Sequence, residues 1–268
     1  MEKNFQYKTA NVNYTITGKG AVVMLLHGFG EDSSIWQDQT HFLREKYRVI
    51  IPDLPGSGKS SILEKSEVSI SDYASCIFAL LENERIEKCY LLGHSMGGYI
   101  TLAFAVTYPE KLIGFGLINS TAFADSEEKK KSRLQGIEMI KEHGAYSFLK
   151  TAIPTLFSKK FKNEQPEIVA TLIEKSRQFS NEVLMQYYNA MMNRPDTTSV
   201  LQHTQVRVLF VIGTEDNAAP LNDLLQQIHL PKIAHINILD GIGHMSMLEA
   251  STKLNNCLLE FLGEETLR

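Results

Sequence analysis

Short, unbroken apolar runs alternate along this chain with segments whose apolar residues recur at helical spacing. That alternation constrains the fold more than any other feature. Ala21–Leu26 (AVVMLL), Arg48–Ile51, Cys89–Leu92, Ile113–Ile118, Val206–Ile212 and His235–Leu239 are runs that suit strands buried on both faces. Between most of them lie Ser33–Lys46, Ile70–Glu84, Gly97–Tyr108, Leu221–His229 and Ser246–Leu262, each with an apolar stripe and charged flanks. Phe5–Lys8 and Val12–Thr17 alternate around a polar turn and end at Gly18-Lys19-Gly20, which predicts an antiparallel hairpin. Strands spaced by helices in this order predict an α/β fold built on a mostly parallel sheet covered on both faces.

One stretch, residues 121–199, breaks the rhythm. It is helical text rich in Lys, Glu, Met and aromatics, divided by Pro154, Pro166 and Pro195. The charge run Glu127–Lys131 near its start reads as a solvated helix face. An insertion here predicts a helical lid on a core made of residues 1–120 and 200–268. A length of 268 residues allows one large domain or two small ones, but the inserted helices need the sheet beneath them to bury their apolar faces.

A formal charge of −4 leaves no electrostatic footprint for a nucleic-acid or membrane partner. The polar start Met1–Ala10 carries no targeting signal and no apolar run is long enough to span a membrane, so a cytoplasmic protein is expected, a monomer or homodimer acting on a small-molecule ester. Cys76, Cys89 and Cys257 sit in apolar patterns and read as buried free thiols.

The chemistry concentrates in Gly93-His94-Ser95-Met96-Gly97-Gly98, directly after one apolar run and before helical text. A G-x-S-x-G turn between strand and helix strains the serine backbone, lifts its hydroxyl above the sheet edge and sets it at the positive end of a helix. Ser95 is therefore the candidate nucleophile, and the Met96 N–H points where an oxyanion forms. A hydroxyl needs a base and an orienting acid. His244 follows the last strand in Gly241-Ile242-Gly243-His244, where a loop can carry an imidazole over the sheet edge. Asp216 follows the run Val206–Ile212, with Glu215 and Asp240 as rivals; at the end of the preceding strand stands Asn119, an amide without the negative charge. The loop His27-Gly28-Phe29-Gly30 aims the Phe29 N–H at the same carbonyl, with His27 read as pinning that loop and His94 as lying under the serine turn.

Together LLHGFG (Leu25–Gly30), PDLPGSGKS (Pro52–Ser60), GHSMGG (Gly93–Gly98), GTEDNAAP (Gly213–Pro220) and GIGHMSMLE (Gly241–Glu249) resemble an α/β-hydrolase of the lid-bearing branch of serine esterases, C–C hydrolases and non-haem haloperoxidases. The resemblance covers nearly the whole chain and is loosest in the lid. It implies an eight-stranded sheet, the catalytic set Ser95, Asp216 and His244, oxyanion donors at Phe29 and Met96, and no cofactor or metal. The expected reaction is hydrolysis of a small or medium uncharged carboxylic ester through an acyl-enzyme. A C–C hydrolase or lactonase, or a ligand receptor with little turnover, is the alternative.

Three features have competing readings. Gly56-Ser57-Gly58-Lys59-Ser60 resembles the end of a phosphate-binding loop, but Asp53 stands where that loop needs glycine, and Pro52 and Pro55 stiffen it. Asp53 is read as bracing a turn. Phe157, Phe161, Tyr187, Tyr188 and Met191, with Met192, are candidates for an apolar substrate pocket or for ordinary lid core. Arg194 is a candidate for a substrate carboxylate or for a salt bridge that closes the lid.

Overall fold

A computed structural model describes residues 1–263. The chain runs β1 (Glu2–Tyr7), β2 (Ala10–Thr17), β3 (Val22–Leu26), α1 (Gln37–Leu43), β4 (Arg48–Pro52), α2 (Ile70–Asn83), β5 (Cys89–His94), α3 (Met96–Thr107) and β6 (Leu112–Ile118). The inserted segment holds α4 (Glu127–His143), α5 (Ala145–Ala152), α6 (Lys159–Glu164), α7 (Pro166–Lys175) and α8 (Asn181–Met192), followed by α9 (Thr198–His203). The core resumes with β7 (Arg207–Gly213), α10 (Leu221–Leu225), β8 (Ala234–Leu239), α11 (Ser246–Glu249) and α12 (Ser251–Gly263).

The strands form one eight-stranded sheet in the order β1-β2-β4-β3-β5-β6-β7-β8. β1 and β2 form the expected hairpin, with Glu2 opposite Thr15, and β2 pairs antiparallel with β4. All other pairs are parallel. Every residue of β3, β5 and β7 is buried, which is why these strands read as continuous apolar text rather than alternating text. After β3 the chain crosses to β4, then returns to lay β5 on the other side of β3. The loops after β3 and β5 thus leave a switch point side by side, the place where such sheets bind ligands.

Several boundaries differ from the sequence reading. The segment Ser33–Lys46 opens as a 3₁₀ turn, Ser33–Trp36, with Asp32 accepting from the Ser34 N–H, before α1 begins. The segment Ser246–Leu262 breaks at Ala250 (φ −139°, ψ 42°), giving α11 and α12. The helix expected over Leu221–His229 ends at Leu225. His235–Leu239 is not buried on both faces: β8 is the sheet's edge, and Ile236 and Ile238 are 43% and 47% exposed. A free edge needs cover on only one face, and a run of alternating apolar residues cannot reveal which strand is the edge. Lys129, in the expected solvated charge run, instead turns inward and donates from Nζ to the Ala218 carbonyl at 2.7 Å.

α3 follows Ser95, and ten of its twelve residues are buried, since it lies between the sheet, α2 and α9. All three cysteines are buried and unpaired, and burial pushes the Cys89 thiol up to about 12. Asp53 braces its loop by accepting from the Ser33 and Lys59 N–H groups, each at 3.0 Å. No helix among the described residues is long and apolar enough to cross a membrane.

Candidate active site

Ser95 stands between β5 and α3 with φ 50° and ψ −116°, a left-handed conformation that a residue with a Cβ adopts only at a cost of about 1–3 kcal/mol. Its neighbours impose it. The Ser95 N–H donates to the Ile118 carbonyl at 3.1 Å, and its own carbonyl accepts from the Gly98 N–H at 2.9 Å and from the Ser120 hydroxyl at 2.7 Å. A Cβ on Gly93 would lie 2.1 Å from the Gly97 carbonyl oxygen, so the turn closes only with glycine there. No hydrogen bond from the Phe29 or Met96 N–H to a described residue is present, leaving both donors available beside the serine turn.

The loop after β8 carries His244, almost wholly buried, with Nδ1 at 2.9 and 2.8 Å from the two oxygens of Asp216. Donation from Nδ1 fixes the tautomer and leaves Nε2 as the basic nitrogen. Burial would raise the Asp216 carboxyl, but His244, the Ala219 N–H and the Asn119 amide outweigh it and hold it below the ordinary carboxylate value. Its rivals are elsewhere: Glu215 is exposed, and Asp240 bonds the Thr214 hydroxyl at 3.2 Å.

Three groups set this geometry in roles that sequence reasoning did not assign: Asn119, weighed only as a non-acid, Glu31 with His94, and Glu249. Asn119 (φ 49°) donates from Nδ2 to Asp216 at 3.0 Å and to the Gly243 carbonyl at 3.1 Å, clamping the acid to the histidine loop. Glu31 accepts from the Gly28 N–H at 2.6 Å and from His94 Nδ1 at 3.0 Å, while His94 Nε2 faces the His244 carbonyl at 3.0 Å. Both His94 nitrogens face acceptors, so the ring carries both protons. Burial opposes this, but Glu31 holds His94 above the ordinary histidine value, and His94 holds Glu31 below the ordinary glutamate value. Glu249 accepts from the Gly243 and Ser158 N–H groups at 3.2 and 3.0 Å, and the His244 N–H donates to the Leu156 carbonyl at 2.7 Å. The inserted segment is thereby stitched to the loop of the base. No spacing marks such residues, because each also has a partner far along the chain, 63 positions away for Glu31 and His94, 97 for Asn119 and Asp216, and 91 for Glu249 and Ser158.

His27 pins its loop: Nε2 accepts from the Leu54 N–H and Nδ1 donates to the Gly28 carbonyl, both at 2.9 Å. Phe29 stacks on Tyr188 with centroids 4.4 Å apart and meets Tyr187 and Phe148 edge-on. Phe157 and Phe161 stack on each other at 5.4 Å. Tyr187 is fully buried, and its hydroxyl donates to the Pro55 carbonyl at 2.8 Å and bonds the Ser57 hydroxyl at 2.7 Å, so its polar end holds the inserted segment to the core. Met191 is buried and its carbonyl accepts from Arg194 at 2.8 Å. Arg194 also bonds Asp125 at 2.8 Å and the Phe123 carbonyl at 2.9 Å, which makes it a tie between α8 and the segment after β6.

A strained serine stands at the switch point of this sheet, and the loop of the histidine–aspartate pair reaches its neighbour His94 through the His244 carbonyl. A family model described as alpha/beta hydrolase fold matches residues 21–251, and the chain belongs to that family. It is 25% identical over 94% of its length to a 2-hydroxy-6-oxo-6-phenylhexa-2,4-dienoate hydrolase from Comamonas testosteroni, covering 91% of that protein. Among solved structures it resembles a thermophilic esterase from Thermogutta terrifontis, crystallised with malate, at TM-score 0.92 and 25% identity, covering 98% of each chain. An enol-lactonase from Burkholderia xenovorans LB400 shares the fold at TM-score 0.90 and 21% identity, over 98% of this chain and all of that one. The relatives make this chain an enzyme of the hydrolase class.

Proposed function

We propose that the protein is a serine hydrolase that cleaves small and medium carboxylic esters by acyl transfer, with the inserted helices as a lid over the site. The observations that support this reading are the strained Ser95, at φ 50° between β5 and α3, and the bonding of His244 Nδ1 to both oxygens of Asp216.

Ser95 Oγ attacks the ester carbonyl carbon while His244 Nε2 takes its proton, and the carbonyl π-electrons move onto oxygen. The Phe29 and Met96 N–H groups stabilise that oxyanion, and losing one such donor costs about 3–4 kcal/mol of transition-state stabilisation. Collapse of the tetrahedral adduct expels the alcohol oxygen, which takes the proton from His244. Water then attacks the acyl-serine, giving its proton to His244, and the acid leaves as Ser95 regains its hydrogen. No cofactor takes part in these steps.

A C–C or lactone bond is the second reading, favoured by relatives named as dienoate hydrolases and an enol-lactonase. The test is Ser95→Ala assayed on a panel of p-nitrophenyl esters, a lactone and a vinylogous diketone. The ester reading predicts turnover of the esters by the parent and its loss in a folded variant. Ester turnover that survives in the variant contradicts it, and labelling of Ser95 by a fluorophosphonate without turnover on any substrate points to a receptor.

A further inference from the structure

The two edges of the sheet are built differently. β1, at one end, opens with Glu2 and Lys3, each in an ion pair, Glu2 with Lys59 and Lys3 with Glu84. Charge on an edge keeps a further strand from adding to it. β8, at the other end, reads AHINIL over Ala234–Leu239, with no Lys, Arg, Asp, Glu or Pro, and it follows β7 in an unbroken register. Ile236 and Ile238 stand exposed on it, and Ile233, just before it, is 53% exposed. Phe261 of α12 meets the ring of His235, so α12 lies on the opposite face of this strand from Ile236 and Ile238.

The backbone of this edge has a fixed phase. The Val208 N–H donates to the Ile233 carbonyl at 3.0 Å, and the Thr214 N–H to the Leu239 carbonyl at 3.1 Å. Alternate residues of a strand bond alternate neighbours, so Ile233, His235, Asn237 and Leu239 bond toward β7. The N–H and C=O groups of Ala234, Ile236 and Ile238 therefore point away from the sheet, and no described residue bonds them.

A second copy of the same edge is the occupant that satisfies them. About a two-fold axis at Ile236, an antiparallel partner sets Ile236 opposite its own copy and Ala234 opposite the partner's Ile238. All three outward N–H groups of each chain then meet the three outward carbonyls of the other. A slip of one residue sets outward groups against residues already bonded to β7, and a slip of two carries Ala234 or Ile238 past the end of the strand. This register pairs the small Ala234 with the large Ile238 on the open face. It also brings Lys232 opposite the partner's Asp240, once at each end of the pair. Both side chains are exposed, and neither is in an ion pair with a described residue: Lys232 bonds Gln205 at 2.8 Å and Asp240 the Thr214 hydroxyl at 3.2 Å. Opposite charges at the two ends, with none between them, complement the strand with itself.

We propose that the protein is a homodimer joined edge to edge through β8, with Ile236 at the two-fold axis, so that two eight-stranded sheets form one continuous sheet. This narrows the expectation of a monomer or homodimer to one state and one surface, and it stands apart from the ester reading.

Sedimentation equilibrium over a dilution series tests it. The concentrated parent is expected at twice the chain mass of 30.2 kDa, dissociating on dilution. Ile236→Lys sets two ammonium groups against each other at the axis and alters a side chain that is already exposed, so a folded monomer by circular dichroism is expected. Lys232→Glu places like charges opposite each other at both ends and is expected to raise the dimer Kd about tenfold, as is Asp240→Lys, whereas the double variant returns it toward the parent value. Such rescue reads the register, which general destabilisation does not reproduce. Hydrogen exchange over Ala234–Leu239 is expected to quicken when the parent is diluted. A parent that stays monomeric up to about 100 μM overturns the proposal. So does a dimer that Ile236→Lys leaves intact, or charge reversals that neither weaken the dimer singly nor restore it together. If Ile236→Lys fails to fold, the charge reversals decide.

Discussion

Replacing Glu31 with alanine removes the acceptor of two buried hydrogen bonds, one from the Gly28 N–H at 2.6 Å and one from His94 Nδ1 at 3.0 Å. Hydrogen bonds to a charged group contribute about 1.5–3 kcal/mol each, so the pair sums to about 3–6. Breaking a buried ion pair costs about 3–5 kcal/mol by removal of one partner. His94 has an escape, because it can lose the Nδ1 proton and keep its bond to the His244 carbonyl. The lower end is therefore expected, about 3 kcal/mol, against a total stability of about 5–15 for a domain. Urea unfolding of parent and variant measures this, with equal m values required for the comparison. The pH dependence follows from the directions of the shifts. Glu31 is held below its ordinary value, so its contribution is present above about pH 4.3 and lost as pH falls through the folded value. His94 is held above its ordinary value, so its contribution is complete below about pH 6.5 and lost as pH rises through the folded value. The difference between parent and variant thus peaks between about pH 4.3 and 6.5. A loss below about 1 kcal/mol at unchanged m, or a difference that is flat in pH, refutes a buried ion pair at this position.

Three further perturbations test the surrounding architecture. Tyr187→Phe deletes the hydroxyl held by Pro55 and Ser57 and is expected to cost about 1–3 kcal/mol, with faster proteolysis within residues 121–199 as a second readout. A Cβ on Gly98 would lie 2.2 Å from the Ser120 hydroxyl, so Gly98→Ala is expected to lower stability by about 1–3 kcal/mol, and adding Ser120→Gly to recover part of it in thermal unfolding. Burial works against the Asp72 carboxyl, yet Lys65 and Ser69 bring it down to about 2; its stabilisation is present above its ordinary value and lost as pH falls through about 2, so Asp72→Asn flattens acid unfolding in that window.

What the sequence disclosed is what depends on neighbours along the chain. Fully buried strands such as β3 and β7 write continuous apolar text, and the serine turn demands Gly93 and Gly97 within two residues of Ser95. The order of elements, the strained turn at Ser95 and the loops that carry Asp216 and His244 were legible for that reason. What depends on partners far apart was not. Glu31 meets His94 across 63 positions, Asn119 meets Asp216 across 97, and Arg194 meets Asp125 across 69. The inserted segment was legible only as helices, because residues that pack within it and residues that tie it to the core share one spacing. Phe157 and Tyr187 illustrate this: both are buried, but one stacks on another aromatic ring and the other anchors the segment to the core by its hydroxyl.

The claim on which the rest depends is that Ser95 becomes acylated during turnover. Rapid quenching of the enzyme with an activated ester, followed by peptide mass spectrometry, reads this directly. The account predicts an adduct of the acyl mass on the peptide containing Ser95, formed and then hydrolysed at rates that account for turnover. Sustained turnover with no adduct on Ser95, or with the acyl group on another residue, contradicts it.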